Sequence, residues 1–415
     1  LETSTIRSID LWLGGLGCLA LTQVRRLGRL VGMRGPREVE PPRRILFLKL
    51  VEQGATVLAG GAFRKAEKLV GRDNVFFCCF EENRPIVDIL EIIPRENVLT
   101  VRTDSFFRCV WDILMVILRA RREKIDAVVD LEFFSKSSAV LAFLTGARQR
   151  VGMDRFTAEG PYRGDLLTHR MEYSPYVHTS ITYSLLVEAL TRSPREIPLC
   201  KILPQDVEQY LPRFEPSPAE RATVQEKIQA CVPWQPGQRL VLLNPNPSDS
   251  LFLRKWPAER FVDLAKRLLA EHDDLLILFI GTPSEREETE ALCRQVDSPR
   301  VGSIAGMTSL RELIVLFTLA DVVVTNDSGP AHFAALTPIE IVAMYGPETP
   351  LLFGPMGERV HVLHVPLACS PCLNVFNHRV SPCRNNVCIQ SISVEAVHAA
   401  VQGALGSTDS RPAQG

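Results

Sequence analysis

Short, mostly apolar runs, each followed by a helix-like pattern, recur along this chain and restrict its fold more than any other feature. The first half holds "RILFLKL" (residues 44–50), "NVFFCCF" (74–80) and "IDAVVDL" (125–131). The second half holds "RLVLLN" (239–244), "LLILFIG" (275–281), "DVVVT" (321–325) and "IEIVAMYG" (339–346). Strands that are apolar at every position have both faces covered, which is the mark of a parallel sheet. Helical spacing fills the gaps, at residues 55–70, 106–122 and 137–147, then at 257–272, 284–296, 309–320 and 329–336. Repeated β-α alternation predicts the α/β class, with helices on both faces of each sheet.

The alternation stops in a polar, proline-rich stretch and then resumes. This predicts two Rossmann-like, doubly wound domains, at residues 44–205 and 238–403, joined by a linker at 206–237. Residues 404–415 read as a disordered tail. A hydrophobic fraction of 46% is enough for two cores. The balance of 47 basic against 48 acidic residues argues against a nucleic-acid backbone as partner. Cys78 and Cys79, inside an apolar run, read as reduced thiols of a cytoplasmic protein. Residues 1–43 read as an amphipathic segment and linker without a signal-peptide cleavage site. The apolar run at 11–24 falls short of the roughly 20 residues that span a bilayer. Arg25, Arg26 and Arg29 follow it, so residues 6–30 read either as a helix in a membrane surface or as one docked on the protein's own body.

The polar residues fall after the strands. In doubly wound domains, ligands bind at the C-terminal ends of the strands. "TNDSGPAH" (325–332) follows one strand and opens a helix. Asp327 or Ser328 is placed to cap that helix, Gly329 to let a ligand approach the backbone, and Pro330 suits the first turn. Free amides there attract an anion. Asp327 would accept from amides or ligand hydroxyls, and His332 would donate to a phosphate oxygen. "NPNPSDSLFLRKWPAERF" (244–261) is a second such loop, with Ser248 and the paired cations Arg254 and Lys255 suited to a diphosphate. "GTPSERE" (281–287) is a third, and Glu285 is placed to accept from a ribose hydroxyl. Together these loops predict a nucleoside diphosphate site.

"NDSGPAH" and "YGPETP" (345–350) in tandem, with "RKWPAERF" and "LTGARQRVGM" (144–153), resemble glycosyltransferase family 9, the heptosyltransferase-like enzymes. The resemblance implies a GT-B fold, with two Rossmann-like domains facing across a cleft. It implies a nucleotide-sugar donor such as ADP-heptose on the C-terminal domain and a glycan or glycolipid acceptor, such as a lipopolysaccharide core, on the N-terminal one. Inverting transfer with neither metal nor cofactor is implied as well. By position, Asp327, Ser328, Gly329 and His332 match the donor-phosphate loop, and Arg254 stands where the family has a phosphate-binding Lys. Such an enzyme would be cytoplasmic and peripheral on the inner face of the cytoplasmic membrane.

The chain departs from the family at its expected base, the Asp of a Gly-Asp pair. Here Gly54 is followed by Ala55. Glu52 and Asp130 are the substitute carboxylates. A protein that binds a nucleotide sugar without turnover, and a GT-B sugar-nucleotide epimerase, are the alternatives. Near the C-terminus Cys369, Cys372, Cys383 and Cys388 have spacing compatible with a structural zinc or with a metal-free loop.

Overall fold

The computed structural model describes residues 8–30, 40–157, 161–246, 249–377 and 379–408. It divides into two compact units, residues 1–210 and 211–415.

The first unit has six strands, β1 (Ile45–Leu48), β2 (Val75–Phe80), β3 (Val98–Val101), β4 (Ala127–Asp130), β5 (Gln149–Asp154) and β6 (His169–Glu172). All neighbours are parallel, in the order β3-β2-β1-β4-β5-β6. Its helices are α1 (Gly15–Leu30), α2 (Gln53–Leu58), α3 (Gly60–Val70), α4 (Arg84–Leu90), α5 (Phe106–Arg122), α6 (Lys136–Leu144) and α7 (Thr179–Glu188). The second unit repeats the plan. Its strands are β7 (Arg239–Asn244), β8 (Leu275–Phe279), β9 (Val301–Ser303), β10 (Val322–Asn326), β11 (Glu340–Tyr345) and β12 (Val360–His364), in the order β12-β11-β10-β7-β8-β9. Its helices are α8 (Pro218–Cys231), α9 (Ala258–Glu271), α10 (Arg286–Val296), α11 (Leu310–Leu319), α12 (Gly329–Ala334), α13 (Pro350–Phe353), α14 (Val387–Gln390) and α15 (Val394–Thr408). In both sheets the first strand is central and the fourth pairs on its other side. This is the Rossmann order, whose winding reverses between those two strands.

The apolar runs are the buried central strands, as the sequence predicts. β1, β2, β4, β8 and β11 are buried at every position. Several details differ. The helical pattern at 55–70 is two helices, because the chain bends at Ala59 (φ −81°, ψ 0°). The linker assigned to 206–237 contains α8, which Ser217 and Glu220 start with a capping box and which packs on α11 and β9 of the second unit. The tail assigned to 404–415 begins as helix, since α15 runs to Thr408; residues 409–415 lie outside the described residues.

The first helix docks on its own unit. Gly14, Cys18 and Thr22, four apart, make the face turned inward. Cys18 meets Ala139 of α6 and Leu166. Upstream of α1, Asp10 accepts from the Ser137 amide at 2.7 Å and from the Ser135 hydroxyl at 2.8 Å. A carboxylate at the N-terminus of α6 complements the helix dipole. Gly164, at φ +72°, lets the loop pass beneath α1. A Cβ there would lie 2.6 Å from Thr22 Oγ1 and 2.8 Å from the Cys18 carbonyl. Gly164→Ala should therefore destabilise the first unit by about 1–3 kcal/mol and make the chain around Arg25 a trypsin site. Thermal unfolding and limited proteolysis check this.

Candidate functional site

Because the second sheet is parallel, the C-terminal ends of β7, β10 and β11 stand side by side. Thr325 is registered with Asn244, and Asn326 with Met344. Asn244 Nδ2 donates to the Thr325 hydroxyl at 2.9 Å and to the Ser328 hydroxyl at 3.3 Å. Asn326 Oδ1 accepts from the Trp256 amide at 2.9 Å, and its Nδ2 donates to the Pro245 carbonyl at 2.9 Å. Trp256 is fully buried against Phe261. The two asparagines and the indole thus fix the loop that carries Arg254.

Arg254 points inward. Its Nε lies 3.3 Å from Asp327 Oδ2, its Nη1 donates to the Asp327 carbonyl at 3.4 Å, and its Nη2 pairs with Glu348. Arg379 Nε lies 3.3 Å from the other Glu348 oxygen, and its guanidinium stacks on Phe353. Tyr345 donates to the Phe353 carbonyl at 3.1 Å and also touches Asp327. Arg254, Asp327 and Glu348 are all buried. Burial opposes the charge on Arg254, but Asp327 and Glu348 outweigh it and raise its pKa. Burial pushes Asp327 up, against the pull of Arg254, and pushes Glu348 up to about 8. Two carboxylates therefore share the Arg254 guanidinium at the point where the sheet winding reverses, and Glu348 also reaches Arg379.

Each residue named from the sequence now has a place. Arg254, Asp327, Ser328, Gly329 and Pro330 come together, and His332 is buried in the last turn of α12. Ser328 is the N-cap residue, yet neither it nor Asp327 caps α12: the Ser328 hydroxyl donates to the Asn326 carbonyl at 3.1 Å, and Asp327 turns to Arg254. Lys255 does not pair with Arg254 around one anion. Adjacent side chains diverge here, and Lys255 Nζ reaches Glu288 of α10 at 2.6 Å. Glu285 lies beyond β8, where one carboxylate oxygen accepts from the Thr282 amide at 2.6 Å in a capping box. Ser248 lies outside the described residues. The Nδ2 of Asn246 is buried and has no hydrogen-bond partner among the described residues. Glu348 and Arg379 were missed by the sequence reading. Glu348 stands in "YGPETP", just past a strand end, which was the available signal; Arg379 has none.

The reversal point of the first sheet is also charged. Lys49, completely buried past the end of β1, bridges Glu52 at 3.1 Å and Glu132 at 3.2 Å. Glu132 accepts from the amides of Leu50 at 2.6 Å and Val51 at 3.3 Å, which ties the β1 loop to β4. Glu52 adopts a left-handed backbone (φ 72°, ψ 82°), an unusual conformation for a residue other than glycine. Its side chain stays partly exposed. Asp130 is sequestered within the fold. It is completely buried, paired with Arg163, and accepts from the Ser138 hydroxyl at 2.8 Å. Burial raises its pKa despite Arg163. Lys49, Glu132 and Arg163 were likewise missed, because Lys49 lies inside an apolar run and Glu132 just past one.

The late cysteines, read from the sequence as a structural zinc site or a metal-free loop, are not gathered around a common point. Among the described residues no group of three or more His, Cys, Asp or Glu is placed to hold a metal ion. The four thiols are free; that of Cys383 donates to the Asn385 carbonyl at 3.1 Å, and burial raises the pKa of Cys388.

The comparison that decides the family is the match of residues 115–379 to glycosyltransferase family 9 (heptosyltransferase). The chain belongs to glycosyltransferase family 9. Among family 9 relatives, lipooligosaccharide heptosyltransferase 2 of Campylobacter jejuni is 27% identical over 168 residues, covering 39% of this chain and 49% of that one. Lipopolysaccharide heptosyltransferase 2 of Salmonella typhimurium is 28% identical over 115 residues, 27% of this chain and 32% of that one. The chain thus spans about half the length, or less, of these curated relatives. The solved family 9 glycosyltransferase of Veillonella parvula superimposes with a TM-score of 0.69 at 20% identity, over 89% of this chain and 99% of that one. The E. coli ADP-heptose lipopolysaccharide heptosyltransferase II gives 0.66 at 16% identity, over 88% and 100%. The fold is therefore α/β with two Rossmann-like domains, as in these GT-B neighbours.

The raised Glu348 gives a prediction for stability. A carboxyl whose folded pKa lies above its ordinary 4.5 binds more protons folded than unfolded. Its contribution to stability therefore falls as pH rises from that value through about 8. Glu348→Gln should flatten the fall. Melting temperatures of both proteins across this window check it; equal slopes would refute the assignment.

Proposed function

We propose that this chain transfers a heptose from ADP-heptose, with inversion and without a metal, to a lipopolysaccharide-type acceptor at the inner face of the cytoplasmic membrane. The observation that carries the reading is the buried Arg254, held by Asp327 and Glu348 at the reversal point of the second sheet. Family membership adds the reaction class. An E. coli heptosyltransferase solved with ADP (TM-score 0.60, 19% identity, 87% of this chain and 99% of that one) supports the choice of base.

In this mechanism the departing ADP gains negative charge as the sugar bond breaks. Arg254, His332, the Asn246 amide and the backbone amides of Ser328 and Gly329 meet that charge where it develops. The incoming diphosphate competes with Glu348 for Arg254, and protonation of Glu348 releases the guanidinium. Glu285 receives the ribose through its remaining oxygen. Glu52 takes the proton of the acceptor hydroxyl, with Lys49 positioning its carboxylate from beneath. A base of this kind contributes about 10²- to 10⁴-fold.

Arg254→Ala should weaken ADP binding at least about tenfold, the loss of one charge-assisted contact. Isothermal calorimetry measures it, and wild-type affinity would place the donor elsewhere. Glu52→Gln should lower kcat by about 10²- to 10⁴-fold with little change in donor KM. A second reading, a nucleotide-sugar binder without turnover, is favoured by Ala55 and by the sequestered Asp130. Donor consumption in the presence of acceptor separates the two.

Membrane contact belongs to the same proposal. Among the described residues no helix is long and apolar enough to cross a membrane. The outward face of α1 is apolar nonetheless, and supports a peripheral contact through residues 6–30, of which 8–30 are described.

A further inference from the structure

Helix α5 is apolar on both sides. Val116, Ile117 and Ala120, with Cys109 and Ile113, face the core of the first sheet. The outer side carries Phe106, Phe107, Val110, Trp111, Leu114, Met115 and Leu118, all exposed, with Phe107 at 83% and Trp111 at 59%. A helix on the surface of a soluble domain normally turns charged or polar residues outward. A contiguous apolar face of this kind marks an interaction site.

Helix α1 has the same character. Trp12, at 71% exposure, stands just before it, and Leu16, Leu19, Val24 and Leu27 are exposed along it. Both helices pack on α6. The chain has four Trp. Two, Trp234 and Trp256, are buried, and the other two stand exposed at these helices.

The charges on the two helices are mostly basic, although Arg25 pairs with Asp165 and Arg108 with Asp104. Residues 15–30 hold three Arg and no acid. Helix α5 holds four Arg and one acid, Asp112, which is engaged by Arg102. Arg119 and Arg121 donate to the carbonyls of Glu96 and Leu144, neutral acceptors that leave their charge in place. Arg122 is exposed beside them. Exposed Trp and Phe bordered by Arg is the chemistry of an interfacial helix on anionic lipid.

We propose that the outer face of α5, together with α1, forms a docking surface for an anionic bilayer. Phe107 and Trp111 enter the headgroup boundary, and Arg119, Arg121 and Arg122 lie against lipid phosphates. This deepens the membrane contact proposed above and rests on it, but it is independent of the donor site.

Flotation of the full chain with vesicles of phosphatidylcholine, alone or mixed with phosphatidylglycerol, tests it. The wild type should float with the anionic vesicles, less so at high salt. Phe107→Glu/Trp111→Glu should reduce that partition about tenfold or more, and Phe107→Ser/Trp111→Ser by a smaller factor. ADP binding and thermal unfolding of both variants should match the wild type. If the α5 variants float like the wild type while Trp12→Glu/Leu16→Glu does not, the role of α5 is wrong and the membrane reading survives. If the wild type never floats, both fall. If sedimentation finds a dimer that the α5 substitutions dissociate, without lipid binding, the face belongs to a second copy and the proposal is overturned.

Discussion

A guanidinium cut off from water needs an anion in contact, and in the second unit that requirement organises everything at the sheet edge. Arg254 is buried, so Asp327 and Glu348 must close on it. Asp327 thereby turns away from the amides of α12. Tyr345 and Arg379 are drawn in to complete the cluster. Removing one member of such a group leaves a buried charge uncompensated, which is far costlier than replacing the whole set. An anionic ligand would alter that balance, which is what the proposed diphosphate site requires.

The fold was legible because central parallel strands advertise themselves. Runs such as "RLVLLN" and "NVFFCCF" are apolar at every position between their ends. The edge strands were not legible. β6 alternates buried and exposed positions, and β12 is only partly buried, so neither yields an apolar run. The linker reading failed at α8 for a related reason. Its surface is mostly polar, and only Val224 and Ile228 are buried.

The site was half legible. Motif residues after strands were found where expected, because parallel strands bring their ends to one edge. Their partners were not. Sequence adjacency made Arg254 and Lys255 look like a pair, whereas neighbours on a turn diverge and the real pairs, Arg254 with Glu348 and Lys255 with Glu288, lie far apart in the chain. Asp130 looked like a free carboxylate at a strand end. Only the fold reveals Arg163 beside it.

The hold of Asp10 on α6 links distant parts of the first unit. Asp10 grips Ser135 and Ser137. Three positions earlier Glu132 grips the loop that ends in Glu52, and Glu132 and Lys49 share a contact. The N-terminal helix and the candidate base are therefore connected in series through one short piece of backbone. Were the proposed lipid contact to shift the first helix, residues 132–137 are the stretch that ties that helix to the loop of Glu52.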